Sequence, residues 1–338
     1  MGALAIVWLI RQPPSRNAQY HNKGTCHNDI NGIDIIVLKC SMIPTPRIEP
    51  ATIVCEDAFR IIARQYFHAV TQQHRAACAG SAEAVHEMRI ALTRLRTSIS
   101  FFSPMVNGDQ RSRISAELKW LHAHLGIVRD LDVAVERLMK AGAGPAEIKV
   151  WKRERAACQR HLTRALRSQK YRRLIRNISV WIEKGNWSTK RGKAALDIRL
   201  RPIGEYSAER LKEWQKKLVK KTSKLEEIGA GKRHRVRLIN KKLTYALDAI
   251  ASLMPDEEMP ARRAALKQLR TAQKSLGQLN DDARYRALAK DVQDGMEASS
   301  AVLGAKRKKR LLHKAAEAYR EFARLKPFRT PKVASDGR

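Results

Sequence analysis

The stretch KRHRVRLINKK, residues 232–242, decides the fold class. Six of its eleven residues are Lys or Arg and a seventh is His, yet Val236, Leu238 and Ile239, with Leu243 just beyond, recur at helical spacing. No Asp or Glu is interspersed, although a solvated surface helix ordinarily mixes both signs. The segment predicts a helix with a packing face on one side and a row of mutually repelling cations on the other.

The same arrangement occurs about 150 residues earlier. VHEMRIALTRLR (85–96) corresponds to RHRVRLINKKLT (233–244): each has His, Arg three later, a polar or basic residue at seven, a basic one at eight and Leu at nine. The helices that follow, LKWLHAHLGIVRD (118–130) and LRTAQKSLGQLND (269–281), share Lys or Arg seven before a Gly and Asp four after it. At 3.6 residues per turn, Arg89, Thr93 and Arg96 lie with His86 within about 80° of arc, over about 15 Å of axis. Met88, Ala91, Leu92, Leu95 and Ile99 occupy the opposite side. In the second copy Arg237, Lys241, Thr244 and Tyr245 share the side of His234; Val236, Ile239, Leu243 and Leu247 oppose them, interrupted by Asn240. One such stripe reads as a solvated face. Two in matched register imply two quasi-equivalent halves facing one elongated anion, whose charge balances the cations.

The rest of the composition agrees. The 338 residues, 43% hydrophobic, can bury a core of one or two domains, and 67 Lys plus Arg against 33 acids give a formal charge of +34. That imbalance calls for an anionic partner: nucleic acid, polyphosphate or an acidic surface. The five cysteines, at 26, 40, 55, 78 and 158, show no CxxC and no Cys/His metal spacing, and read as reduced thiols of a cytosolic protein. No apolar run approaches the ~18 residues of a membrane span. ALAIVWLI (3–10) lacks the basic flank and cleavage site of a secretory signal.

Almost everything between residue 51 and residue 325 reads as amphipathic helix, so the chain is all-α. One helix is expected over 55–78, a second after the Ser81 cap, a third over 109–125 ending at Gly126, and a short fourth capped by Asp130. Pro145 opens another, through Gln169, with a further one to about Glu183. GNWSTKRGK (185–193) is the best internal boundary, so the halves are 51–184 and 201–325 with a linker at 185–200. Helices are then expected over 204–228, 233–253, 260–276, 282–296 and 305–325. Residues 1–50 read as a disordered extension or as sequence upstream of a start at Met42, and 326–338 as a disordered tail.

VHEMRIALTRLR with LGIVRDLDV, and RHRVRLINKKLTYAL with LGQLND, resemble the CHAD domain family, named for its conserved histidine and α-helical domain. LRSQKYRRL (166–174) is similar to that family's Ser-x-basic-Tyr motif, and the resemblance covers roughly 52–325. It implies two tandem antiparallel four-helix bundles related by an internal pseudo-twofold, around a basic central groove or pore. It also implies binding of inorganic polyphosphate, without catalysis or cofactor, and a cytoplasmic location on polyphosphate granules with granule-associated proteins as partners. Carried over by position, the ligands are His86, Arg89, Arg94, Arg96 and Lys119 in the first half and His234, Arg237, Lys241, Lys242 and Arg270 in the second, with Lys170 in addition. Thr93 and Thr244 stand where the family usually has Arg, and Arg270 where it commonly has Lys. The missing cations imply weaker binding, or compensation by Arg210, Lys217, Lys221 and Lys224, which form their own stripe on the helix at 204–228.

Neighbouring Arg and Lys should keep His86 and His234 neutral, and bound polyanion should favour their protonation. Asp130 and Asp281 read as helix caps or as orienters of the cations. His122 and His124, two apart on a helix, do not converge on a metal, and Glu226-Glu227 and Glu257-Glu258 form no paired carboxylate site. A nucleic-acid-binding protein fits the charge equally well, but aromatics are only 6% and no stacking motif, helix-turn-helix or zinc finger is visible. An enzyme acting on polyphosphate or triphosphate is the third reading. Against it, the Glu-x-Glu-x-Lys motif of the CYTH triphosphatase domain that often accompanies CHAD is missing from the chain, as is a Walker A loop.

Overall fold

Ser81 shows how the helices are specified. Its side chain accepts a hydrogen bond from the Ala84 N–H, and Val85, Met88, Leu92, Leu95 and Ile99 beyond it are all buried. Ser168 caps the Tyr171 N–H in the same way, ahead of buried Tyr171, Leu174, Ile178 and Trp181. A computed structural model describes residues 53–253, 259–292, 302–325 and 328, all within one compact unit, Glu49–Arg338. The expectations for residues 1–50 and, Phe328 apart, for the tail lie outside the described residues.

The described residues form an all-α fold of eleven helices: α1 (Cys55–Gln72), α2 (His74–Cys78), α3 (Ala82–Phe101), α4 (Asp109–Lys140), α5 (Pro145–Arg167), α6 (Gln169–Lys184), α7 (Lys193–Leu200), α8 (Ile203–Thr222), α9 (Ala230–Ala251), α10 (Met259–Val292) and α11 (Ala305–Arg324). In the first half α1 packs on α3, α3 on α4, α4 on α6 and α6 on α1, with α5 against α4 and α6. In the second, α8 packs on α9, α9 on α10, α10 on α11 and α11 on α8.

Several sequence-based boundaries are corrected. Gly126 does not end a helix and Asp130 does not cap one, because α4 runs for 32 residues through both; α10 likewise runs for 34 through Gly277 and Asp281. A helical glycine costs only about 1 kcal/mol relative to Ala. The apolar period of α4 continues past it in buried Leu121, Leu125, Val128, Leu131, Ala134 and Leu138. The helix expected over 55–78 divides at Gln73 into α1 and α2.

Three helices of the first half meet their own counterparts in the second: α1 touches α8, α3 touches α9 and α4 touches α10. A twofold relation produces that pattern. Where α1 and α8 begin, the Cys55 N–H donates to Arg201 O (3.0 Å) and the Ile203 N–H to Ile53 O (2.9 Å), a reciprocal exchange between equivalent positions. An aromatic cluster seals this end. Phe102 stacks on Tyr206 (ring centroids 5.6 Å apart), Phe101 meets Trp214 edge-on (5.5 Å), and the Tyr206 hydroxyl donates to Phe101 O (2.8 Å). A smaller apolar cluster joins the halves again around Leu131, Leu138, Trp151, Tyr285 and Leu288. Beside it, Arg137 of α4 bonds Asp282 of α10 at 2.7 Å.

The stretch expected as a linker, 185–200, is structured: it holds a 3-10 turn (Asn186–Ser188) and α7. Trp187 is buried against Phe59 (5.2 Å), donates to Trp181 O (2.9 Å) and lies under the Arg60 guanidinium. A Cβ on Gly185 would fall 2.6 Å from the Trp187 ring, so glycine permits this close approach. Trp187→Ala is expected to destabilise the protein by about 3–5 kcal/mol in urea unfolding; a loss under ~1 kcal/mol would return the segment to the status of a linker.

Candidate anion-binding site

The contact between α3 and α9 brings their polar stripes together. Arg89 and Arg237 occupy equivalent places, each along a glycine of the neighbouring helix. A Cβ on Gly126 would lie 3.7 Å from Arg89 Nε, and one on Gly277 4.0 Å from Arg237 Nε. The glycine of each Lys/Arg-x6-Gly-x3-Asp arrangement thus lies beside a guanidinium, at a distance where a Cβ would make ordinary van der Waals contact.

These cations act on one another. Burial, then Arg237 and Arg129, push the Arg89 guanidinium below its usual range, against the opposing pull of Asp130. Burial, Arg89 and Arg237 lower the Lys241 amine to about 8. Lys242 is lowered by burial, Arg96 and Lys217, and Arg96 by burial. Arg94 lies over the rings of Tyr66 (5.9 Å) and Tyr245 (5.5 Å), and Lys241 Nζ is 5.4 Å from the Tyr245 centroid. Nε of Arg89, Arg94 and Arg237 and Nδ1 of His86 are buried without a hydrogen-bond partner in the protein. Buried polar groups ordinarily find partners, and within the protein these donors are left open.

His122 belongs to the same cluster, where sequence reasoning weighed it only as a metal ligand. Burial, Arg89, Arg96 and Lys241 lower its pKa to about 3. The Thr93 hydroxyl donates to Arg89 O (2.7 Å), and its oxygen lies 3.3 Å from His122 Nε2. Thr93, one of the two departures from the family pattern, thus stands beside the imidazole. At the other, Thr244 is buried and bonds back to Asn240 O (3.1 Å), while the Asn240 amide donates to Leu269 O (3.0 Å) and ties α9 to α10. Arg129 and the two tyrosines also escaped the sequence reading, because only the folded chain brings them to this place.

Other sequence-derived candidates stand apart. Arg210 is turned to Phe101 O (3.3 Å), pairs with Glu213 and lies over Trp214, so it fastens the end of α3 and leaves the α8 stripe. Lys224 pairs with Glu227 (3.8 Å), whereas Lys217 stands beside Lys242 and Lys221 is exposed a turn further on. Arg270 is ion-paired with Asp248 at 3.0 Å. Lys170 sits over the Trp120 ring (4.4 Å), next along the chain from exposed Lys119. The two histidines differ. His86 is half-buried and lowered by burial, Arg129 and Arg89. His234 is exposed, its Nδ1 2.6 Å from Asn280 Oδ1, the residue equivalent to Arg129. Asp130 accepts from Arg284 (2.8 Å), and it lines one small pocket with Asp281, Arg137 and Arg284. Among the described residues no group of three His, Cys, Asp or Glu could hold a metal ion, and no helix is long and apolar enough to cross a membrane.

A family model for the CHAD domain matches residues 61–290, well over half of the chain. The chain belongs to the CHAD domain family. Its structure is similar to the crystal structure of the CHAD domain from the plant Ricinus communis, with a TM-score of 0.66 and 22% sequence identity, over 82% of this chain and 95% of that one. PptA from Streptomyces chartreusis is similar at a TM-score of 0.52 and 16% identity, over 80% and 98%. At these identities the likeness shows the fold alone. A search among curated proteins finds no match.

In this CHAD domain the folded state keeps His122 neutral down to about 3, while the unfolded chain protonates it near pH 6.5. The unfolded state therefore binds more protons between those values. The stability tied to the neutral ring is whole above about pH 6.5 and declines as the pH falls toward 3. His122→Gln, which copies the equivalent Gln273, should make unfolding less acid-sensitive over that window. Equal pH slopes for the two proteins would place the imidazole in solvent.

Proposed function

We propose that this CHAD domain protein binds inorganic polyphosphate through the cation cluster between its halves, without acting on it chemically. One observation carries the reading: half-buried cations from both halves depress one another, with guanidinium donors among them that lack a protein acceptor. A linear polyphosphate carries charge at every unit and no bases. Guanidiniums supply forked donors to its oxygens and lysines supply point charges. The second half furnishes Arg237, Lys241 and Lys242 and the first Arg89, Arg94 and Arg96, so one thread crosses both. Such binding would place the protein on polyphosphate granules.

The make-up of the site favours a binding module over an enzyme. Arg, Lys, His and Tyr gather at its centre, and of the nearby carboxylates Asp130 is engaged by Arg284 and Asp248 by Arg270. It also favours polyphosphate over nucleic acid, since Tyr66 is buried and the rings of Tyr66 and Tyr245 already carry Arg94, which leaves them poor platforms for base stacking.

Arg89→Ala and Arg237→Ala should each weaken long-chain polyphosphate binding by at least ~1 kcal/mol, about fivefold, in calorimetric titration. Displacement of polyphosphate by DNA at equal phosphate concentration would favour the nucleic-acid reading, and phosphate release with Mg²⁺ or Mn²⁺ present the enzymatic one. Affinity should also depend on pH through Lys241. Its amine loses charge above about 8 in the ligand-free protein, and the polyanion favours the charged form. Binding should then be at full strength below that pH, take up a proton above it, and weaken as the pH rises; Lys241→Met should flatten this limb.

A further inference from the structure

The two ends of the cation row are unequal. By the repeat, Asp248 on α9 stands where α3 has Ser100, and Arg270 on α10 stands where α4 has Lys119. Asp248 and Arg270 are ion-paired at 3.0 Å, with 25% of the carboxylate side chain exposed and 62% of the arginine's. The reach of Asp248 extends further inward. With burial, it raises the hydroxyls of Tyr66 and Tyr245, the two rings beneath Arg94, against the opposing pull of Arg94 itself. A fixed negative charge therefore sits among Arg94, Arg270 and the two tyrosines.

The opposite end is built around Lys242, Arg96 and Lys217. Burial, Arg96 and Lys217 lower Lys242, burial lowers Arg96, and no carboxylate offsets either shift. Lys119, the counterpart of Arg270, forms no ion pair with a carboxylate among the described residues, and Lys170 stands nearby over Trp120. Two ends generated by one duplication thus differ in the Asp248 carboxylate and what it holds.

We propose that Asp248 is a specificity-determining residue: an internal anion that occupies the Arg94–Arg270 end of the trough, so that polyphosphate is gripped through the centre and along the Arg96, Lys242, Lys217 and Lys119 end. The inference rests on the polyphosphate reading above and adds to it which half of the row the chain uses. Asp248 does two things there. It neutralises Arg270 as a ligand, and the resulting pair offers no net positive charge to a phosphate that would run on past Arg94. A chain long enough to cover the centre and one end makes all its strong contacts, and further units on the Asp248 side add little.

The test is a double-mutant cycle read by calorimetric titration with long-chain polyphosphate at fixed salt. Wild type is compared with Lys119→Ala, Arg270→Ala, Asp248→Ser and Asp248→Ser combined with Arg270→Ala. Lys119→Ala should weaken binding about 3–10-fold, and Arg270→Ala, an exposed side chain whose loss leaves the core intact, less than ~2-fold. Asp248→Ser should tighten binding by ~3-fold or more, and on that background Arg270→Ala should become as costly as Lys119→Ala. Equal losses for Lys119→Ala and Arg270→Ala in otherwise wild-type protein would overturn the inference, as would unchanged affinity in Asp248→Ser. Either result leaves the polyphosphate reading standing. A wild-type protein that does not bind polyphosphate at all defeats that reading and the inference with it.

Discussion

Like charges held half-buried against one another are the constraint around which this molecule is arranged. Two unit charges about 5 Å apart repel by roughly 3 kcal/mol at the effective dielectric of a protein near its surface. Arg89, Arg237, Lys241, Arg94 and Arg96 share one region with a neutralised His122. Nothing local favours such a gathering. It exists because α3 and α9 are held together by forces that act elsewhere; on the proposed function a bound polyanion would reverse its sign.

Those forces come from either side of the cations. At the start of α1 and α8 the reciprocal backbone bonds and the Phe101–Phe102–Tyr206–Trp214 cluster join the halves; the Trp151–Tyr285 stack and the Arg137–Asp282 and Arg284–Asp130 pairs join them again along α4 and α10. Fully burying one large aromatic side chain contributes about 1.5–3 kcal/mol, so a handful of them outweighs the repulsion between. The cost is confined to the cation cluster, and a stability cost held at one place is the usual mark of a preorganised site.

Much of this was legible from residue order. Helical period separates Met88, Leu92 and Leu95 from Arg89 and Arg96 without further information, and the second copy of the pattern around His234 reveals the duplication. What the period cannot supply is the neighbour across the gap. Gly126 and Gly277 look like helix stops until Arg89 and Arg237 are seen lying on them. His122 looks like a stray histidine until α4 sets it against Arg96 and Lys241. Arg210 carries the same stripe signature as Lys217, yet the carbonyl of Phe101 and the carboxylate of Glu213 claim it. Trp187 sits in a Gly/Asn/Ser/Thr-rich run that reads as a connector, because a single large ring inserted in the core leaves no periodic trace. The polar and glycine positions carried two meanings each, and tertiary contacts chose between them.

The central claim is that the cation row is strained by design of the fold and relieved by a polyanion. The most direct measurement is the unfolding free energy of wild type and of an Arg89→Met, Arg237→Met double variant, with and without long-chain polyphosphate. Without the polyanion the double variant should be at least as stable as wild type, since two repelling charges are gone, and with it wild type should gain far more stability than the variant. A double variant clearly less stable than wild type in the absence of polyphosphate, or equal stabilisation of both by it, would contradict the account.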